Sequence, residues 1–201
     1  MEVIIMQYII RVKDEIDFSD CEKAVISNYK WTEGYAPEAF AQLLYIKDKG
    51  FALKMTAVES EPRAVYSNYN DPVYKDSCLE FFVNFDNGDK YLNFEMNSNG
   101  AFLAAVRTDR YNKTAIDELA PLPEVKAEKC ENAWTVSVFF SNEFIEKTFG
   151  KIDIKSGYSF KGNFYKCGDD TDIPHFGMWS PVDNETPDFH RPEFFGDLIV
   201  E

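Results

Sequence analysis

The sequence predicts an all-β fold, an antiparallel β-sandwich with one short helix, because three features recur along the chain. Short segments alternate polar and apolar residues, as strands with one buried face do. Turn sequences such as Asp-Asn-Gly-Asp at 86–89 and Ser-Asn-Gly at 98–100 separate these segments. Long helical patterns do not lie between them, so the helical crossovers that parallel strands need are not expected.

The first strand is predicted within residues 1–10, which are apolar but lack the basic stretch and the small-residue cleavage site of a signal peptide. One clear helix is predicted at 141–150, capped by Ser141 and ended by Gly150. The remaining predicted strands are 43–46, 51–58, 79–85, 90–97, 101–107, 125–129, 133–140, 158–167, 175–179 and 197–200.

Alternation also predicts which side chains form the core. Successive strand residues point to opposite faces, so Glu80 and Phe81 must face opposite ways. The residues expected inside the sandwich are Phe51, Leu53, Met55, Ala57, Phe81, Val83, Phe94, Met96, Trp134, Val136, Val138, Phe140, Phe160 and Phe164.

Composition predicts a single domain over residues 1–201, since 45% of the residues are apolar and all-β domains often reach this length undivided. A net charge of −14 would repel phosphate backbones, which argues against a nucleic-acid partner. Apolar runs of membrane-spanning length are lacking. A cytoplasmic location is expected by default, or export if a leader was removed, and the sequence indicates no oligomeric state.

The sequence predicts neither a zinc site nor a redox motif, because its four cysteines are far apart and form no CxxC pair. They are expected to be reduced thiols, with disulfides possible only for an exported protein. Two acidic turns offer the oxygen ligands that calcium prefers, although such turns are usually only solvated. These weak calcium candidates are Asp86, Asp89, Asp169, Asp170 and Asp172.

A polar surface on two neighbouring strands is the first indication of function. The strands at 79–85 and 90–97 place carboxylates and amides side by side, with Tyr74 at the rim. Sugar hydroxyls need donors and acceptors fixed in direction, and the C–H face of a pyranose packs on an aromatic ring. The sequence therefore predicts a saccharide site that includes Glu80, Asn93, Glu95 and Asn97.

Five blocks, in their order and spacing, resemble the family 9 carbohydrate-binding modules over nearly the whole chain. They are residues 76–83, residues 91–97, the strand of Trp134, residues 179–181 and residues 189–198.

The resemblance implies a β-sandwich that grips a sugar between two aromatic rings, here Tyr74 and Trp179. It places a sugar-binding carboxylate at Glu80 and an amide at Asn97. The family's typical ligand is the end of a β-linked glucan or xylan.

Two departures from the family pattern leave the ligand open. Tyr74 stands where the pattern has Trp, and Glu95 stands where it has Arg. With Glu in place of Arg, the site loses the guanidinium N–H donors and gains a carboxylate acceptor. Arg107, on the next strand, is the candidate to supply the missing guanidinium.

Structural alternatives exist for each of these residues. Trp179 is equally well explained as a core residue, and Tyr74 as a surface ring. Glu80 could belong to a solvated strand face, and Asn97 could cap the following turn. Arg107 could be an exposed or ion-paired residue.

Two other classes of function compete with non-catalytic binding. Glu80 and Glu95 would form the carboxylate pair of a glycoside hydrolase, but an open polar face is too wet to raise the pKa of an acid. An electron-transfer sandwich with His175 and Met178 as haem ligands ranks below both. The motifs of serine hydrolases, zinc proteases and phosphate-binding loops are missing from the sequence.

Overall fold

A computed structural model describes residues 6–32 and 34–201, and this part of the chain forms fourteen strands and one α-helix. The strands are β1 (Gln7–Lys13), β2 (Ala24–Ile26), β3 (Asn28–Tyr29), β4 (Ala39–Ile46), β5 (Gly50–Ala57), β6 (Cys78–Asn84), β7 (Tyr91–Asn97), β8 (Phe102–Arg107), β9 (Lys113–Ala115), β10 (Val125–Lys129), β11 (Trp134–Ser141), β12 (Ser159–Gly168), β13 (His175–Met178) and β14 (Gly196–Val200). The helix, α1, spans Asn142–Phe149, and short 3-10 turns cover Val73–Lys75, Ile116–Glu118 and Pro192–Phe194.

Two sheets pack face to face, which confirms the predicted sandwich. The site sheet contains β14, β12, β6, β7, β8 and β9 in that order, with β13 and β3 beside the far end of β12. The back sheet contains β4, β5, β11 and β10, with β2 beside β4. The hairpins and the meander predicted from turn residues pair as expected.

Strand β1 connects the two sheets. Its first half runs parallel to β14, and its second half runs parallel to β4. The prediction of purely antiparallel pairing is therefore wrong at this strand, because its partners are brought to it by the tertiary fold rather than by a neighbouring hairpin. The predicted first strand lies partly outside the described residues, since its first five positions are not described.

The core lies between the sheets and contains every residue that alternation assigned to it. Phe81 points inward from β6 and stacks on Phe164 with a centroid distance of 5.0 Å. Glu80 points to the other side of β6, as predicted. The ends of α1 are also confirmed, because the Ser141 hydroxyl accepts a hydrogen bond from the Phe144 amide and Gly150 has a φ of 96°.

A second apolar cluster covers the outer face of the site sheet. Its centre is Tyr165, which stacks on Phe189 of the last loop at 4.0 Å between ring centroids. Because loops from three parts of the chain pack over this face, it is a lined cavity rather than an open surface. No helix in the described part of the chain is long and apolar enough to cross a membrane.

Candidate functional site

The outer face of the site sheet holds a cavity of about 660 Å³, within the usual range for small-molecule sites. Strands β6, β7, β8 and β12 form its floor, and residues 72, 74, 110, 113, 169 and 187–190 form its rim. Its principal lining side chains are Tyr74, Glu80, Phe82, Glu95, Leu103, Arg107, Arg110, Lys113, Cys167, Asp169, Phe176, Asp188, Phe189 and His190.

A chain of hydrogen bonds links three of the predicted residues beneath this cavity. The Arg107 Nε donates to Asn93 Oδ1 at 2.5 Å, and Asn93 Nδ2 donates to Glu95 Oε1 at 2.6 Å. The other carboxyl oxygen of Glu95, Oε2, is buried without a hydrogen-bond partner. Arg107 and Glu95 line the cavity, while Asn93 is buried behind them and sets their orientation.

Glu80 lies directly opposite Glu95 in the pairing of β6 with β7, and their side chains are only 3% and 5% exposed. The expectation of a solvated, open strand face is therefore wrong, because the covering loops exclude water from it. Burial raises the pKa of Glu80 well above its ordinary value, and the charge of Glu95 adds to this. Burial also raises the pKa of Glu95 to about 7, against the opposing effect of Arg107.

Two partly exposed aromatic rings line the cavity, Tyr74 and Phe176. Tyr74 belongs to the 3-10 turn before β6, and Phe176 belongs to β13 and packs edge-on against Trp31. Phe176 was not among the residues predicted from the sequence. Alternation along β13 places it and Trp179 on opposite faces but does not say which of the two faces the core.

The structure does not bring Trp179 to Tyr74, which corrects the predicted clamp. Trp179 is 3% exposed in the core between the sheets, with its ring edge against Phe164 and Tyr8. It follows Phe176 by three residues, an odd number, so the two side chains point to opposite faces. Phe176, rather than Trp179, therefore lines the cavity together with Tyr74.

Asn97 is also outside the cavity. Its amide nitrogen donates to the Tyr66 carbonyl and to Asp76 Oδ2, both at 2.8 Å. Its Oδ1 accepts from the amides of Asn99 and Ala101. With all of these bonds made within the protein, Asn97 holds the turn after β7, which is the structural alternative considered for it.

The acidic calcium candidates are spread over three places. Asp169 lines the cavity, and burial followed by the charge of Asp170 raises its pKa to about 6. Asp170 and Asp172 line a different cavity of about 460 Å³. Asp86 Oδ1 accepts a bond from Gly88 in the turn that also contains Asp89. Calcium binding stays a prediction.

The residues considered as haem ligands point to opposite faces of β13 and have partners within the protein. His175 Nε2 is 2.6 Å from Lys166 Nζ, and burial lowers the pKa of His175 to about 4. Met178 Sδ accepts a bond from the Val182 amide at 3.1 Å. The spacing of three residues again explains why they do not converge.

Comparison with solved structures shows which folds resemble this one. A protein from Bacteroides uniformis ATCC 8492, to which carbohydrate binding is provisionally attributed, is 25% identical with a TM-score of 0.82, covering 97% of this chain and 99% of that one. A family 9 carbohydrate-binding module from Caldicellulosiruptor kristjanssonii in complex with cellotriose is 15% identical with a TM-score of 0.70, covering 98% of this chain and 94% of that one. A module from the same organism in complex with glucose is 16% identical with a TM-score of 0.65, covering 98% and 96%.

The chain has no match among curated protein sequences. Its residues 11–200 match the sequence pattern of carbohydrate-binding family 9, which is almost the whole chain. This match agrees with the fold and with the solved structures, which resemble this one over at least 97% of the chain. The chain therefore belongs to carbohydrate-binding family 9.

Proposed function

We propose that the cavity on the site sheet binds the end of an oligosaccharide or polysaccharide, with one sugar ring between Tyr74 and Phe176. The observation that carries this assignment is the unpartnered Glu95 Oε2 at the cavity wall. A buried oxygen without a hydrogen-bond partner is costly, and a sugar hydroxyl would satisfy it.

The polar groups around that oxygen suit a ring of hydroxyls. Glu95 supplies an acceptor, and Arg107 supplies guanidinium donors that are held in place through Asn93. Burial raises the pKa of Glu80 and so favours its neutral form, in which the carboxyl group offers a donor as well as an acceptor. A set that contains both kinds of group distinguishes sugars by the direction of their hydroxyls.

The aromatic rings supply affinity that does not depend on the hydroxyl pattern. Tyr74 and Phe176 are both half-buried and line the same cavity, so each presents a partly accessible ring. Stacking on the C–H face of a pyranose contributes about 1 kcal/mol per ring beyond simple burial. The first ligands to test are β-linked gluco-oligosaccharides, because the solved family 9 modules contain cellotriose and glucose.

Titration calorimetry with glucose, cellotriose, xylotriose, mannose and galactose tests this proposal. We expect saturable binding of at least one of these sugars and a loss of affinity of about tenfold or more in Glu95→Gln. Glu185→Gln is the matched control, because Glu185 is exposed and outside the cavity. Equal affinities in Glu95→Gln and the parent would contradict the assignment of the site.

A further inference from the structure

Two cysteines that are 89 positions apart in the sequence meet at the floor of the cavity. Cys78 on β6 is directly opposite Cys167 on β12 in the antiparallel pairing of these strands. Glu80 follows Cys78 by two residues and so points to the same side of the sheet. One ligand atom from each of Cys78, Glu80 and Cys167 lies within 4.8 Å of the other two, and all three residues are buried.

The contacts of this cluster bring no cation into an ion pair with its carboxyl group. The Cys167 thiol donates to Glu80 Oε1 at 2.8 Å, which is the one hydrogen bond that Glu80 receives within residues 6–32 and 34–201. Within the same ranges Glu80 makes no ion pair. A carboxyl group buried without a cation is unfavourable, and a bound metal ion is one of the few partners that relieve this cost.

The chemistry of the three ligands selects a class of metal. Thiolates bind zinc and other borderline or soft ions, whereas calcium and magnesium prefer oxygen alone. In a tetrahedral zinc site, bond lengths of about 2.3 Å to sulfur and 2.1 Å to oxygen separate neighbouring ligand atoms by about 3.6 to 3.8 Å. Here Cys167 Sγ and Glu80 Oε1 are 2.8 Å apart, and the three ligand atoms all lie within 4.8 Å of one another. These distances bracket the range expected for zinc, so small side-chain rotations would bring the three ligand atoms into tetrahedral positions.

We propose that Cys78, Cys167 and Glu80 form a binding site for a thiophilic divalent cation such as Zn²⁺. Glu80 and Cys167 also line the cavity, so the ion reaches the site from there. The fourth ligand is then a water molecule or a hydroxyl group of a molecule in the cavity. Both thiols, and the Glu80 carboxyl group when it is protonated, release their protons to solvent as the ion binds.

Cobalt titration of the reduced, metal-free protein tests the site directly. We expect one equivalent of Co²⁺ to produce the intense visible bands of a four-coordinate ion and a thiolate-to-cobalt charge-transfer band, both abolished by excess Zn²⁺. Cys78→Ala and Cys167→Ala should each lose the charge-transfer intensity or weaken binding by more than about tenfold. The controls are Cys21→Ala and Cys130→Ala, whose cysteines lie outside the cluster.

The parent protein provides a second test that needs no substitution in the core. In urea below the unfolding transition, where transient opening lets iodoacetamide reach buried thiols, zinc should slow the alkylation of Cys78 and Cys167, as read by mass spectrometry, and leave the alkylation of exposed Cys130 unchanged. Zinc should also raise the melting temperature of the parent. A cobalt spectrum without charge transfer, or equal alkylation with and without zinc, would overturn the site.

These measurements separate the metal site from saccharide binding. Metal-free protein that binds a sugar but no cobalt would overturn the metal site alone. Protein that binds cobalt through Cys78 and Cys167 but no sugar would overturn the proposed function alone.

Discussion

Glu80 and Glu95 lie side by side on β6 and β7, and the loops over the site sheet bury both carboxyl groups in one cavity. Two neighbouring carboxyl groups with little access to water resist ionisation, so the pKa of each is raised. The ionisation of either carboxyl group in this cavity therefore lowers the stability of the folded protein.

Glu95→Gln should stabilise the protein in a pH-dependent way. The pKa of Glu95 is raised from 4.5 to about 7 on folding, so the folded state binds more protons than the unfolded state between these values. Stability contributed by this residue is therefore lost as pH rises through that window. Relative to the parent, the variant should gain on the order of 2 to 3 kcal/mol at about pH 8 and little at about pH 4.

Urea unfolding at several pH values measures this difference. The glutamine introduced by Glu95→Gln keeps an acceptor for Asn93, so lost packing should not obscure the result. Parallel profiles for the variant and the parent would show that Glu95 ionises normally in the folded protein.

Tyr74→Ala and Phe176→Ala should each weaken the binding of every bound sugar by a similar factor, about tenfold. The reason is that a stacked ring contacts the C–H face that pyranoses share. Tyr111→Ala is the control, since Tyr111 is 86% exposed and lies outside the cavity. Calorimetry with two epimers checks the prediction, and a loss confined to one epimer would argue for a directional role of these rings.

Trp179→Ala should lower stability rather than affinity. Its ring fills the core beside Phe164 and Tyr8 and packs against Gly196, so its removal leaves a cavity that costs about 3 to 5 kcal/mol. Thermal unfolding measures this loss. The milder Trp179→Phe should fold and bind sugar as the parent does. Weakened binding by a folded Trp179→Phe of unchanged stability would instead place Trp179 in the site.

Glu80→Gln should weaken saccharide binding several-fold and change the order of preference among epimers, because the amide offers different donors and acceptors to the sugar. The parent is expected to release no reducing sugar, so the variant has no hydrolysis to lose. The buried pair of Glu80 and Glu95 makes this assay worthwhile, since a glycosidase needs one protonated and one ionised carboxyl group. Turnover by the parent that disappears in Glu80→Gln would favour the hydrolase alternative.

The sequence by itself determined eleven of the fourteen strands, the core face of five of them and the single helix. It did not predict the short strands β2, β3 and β9. Alternation with a period of two assigns Phe81 inward and Glu80 outward without knowledge of any partner strand. Ser141 and Gly150 mark the ends of α1 through local chemistry alone. That Glu80, Glu95 and Arg107 share one cavity was predictable, because they lie on the outward faces of consecutive strands of one meander.

Only the tertiary structure decided which distant residues share the cavity. Alternation separates Phe176 from Trp179, but it does not say which of them faces the core, because both are large aromatic residues. The burial of Glu80 depends on loops far away in the chain, and the parallel pairing of β1 depends on both ends of the sandwich. Cys78 and Cys167 meet through the register of β6 with β12. A local pattern specifies which way a side chain points, whereas the pairing of distant strands specifies what it meets there.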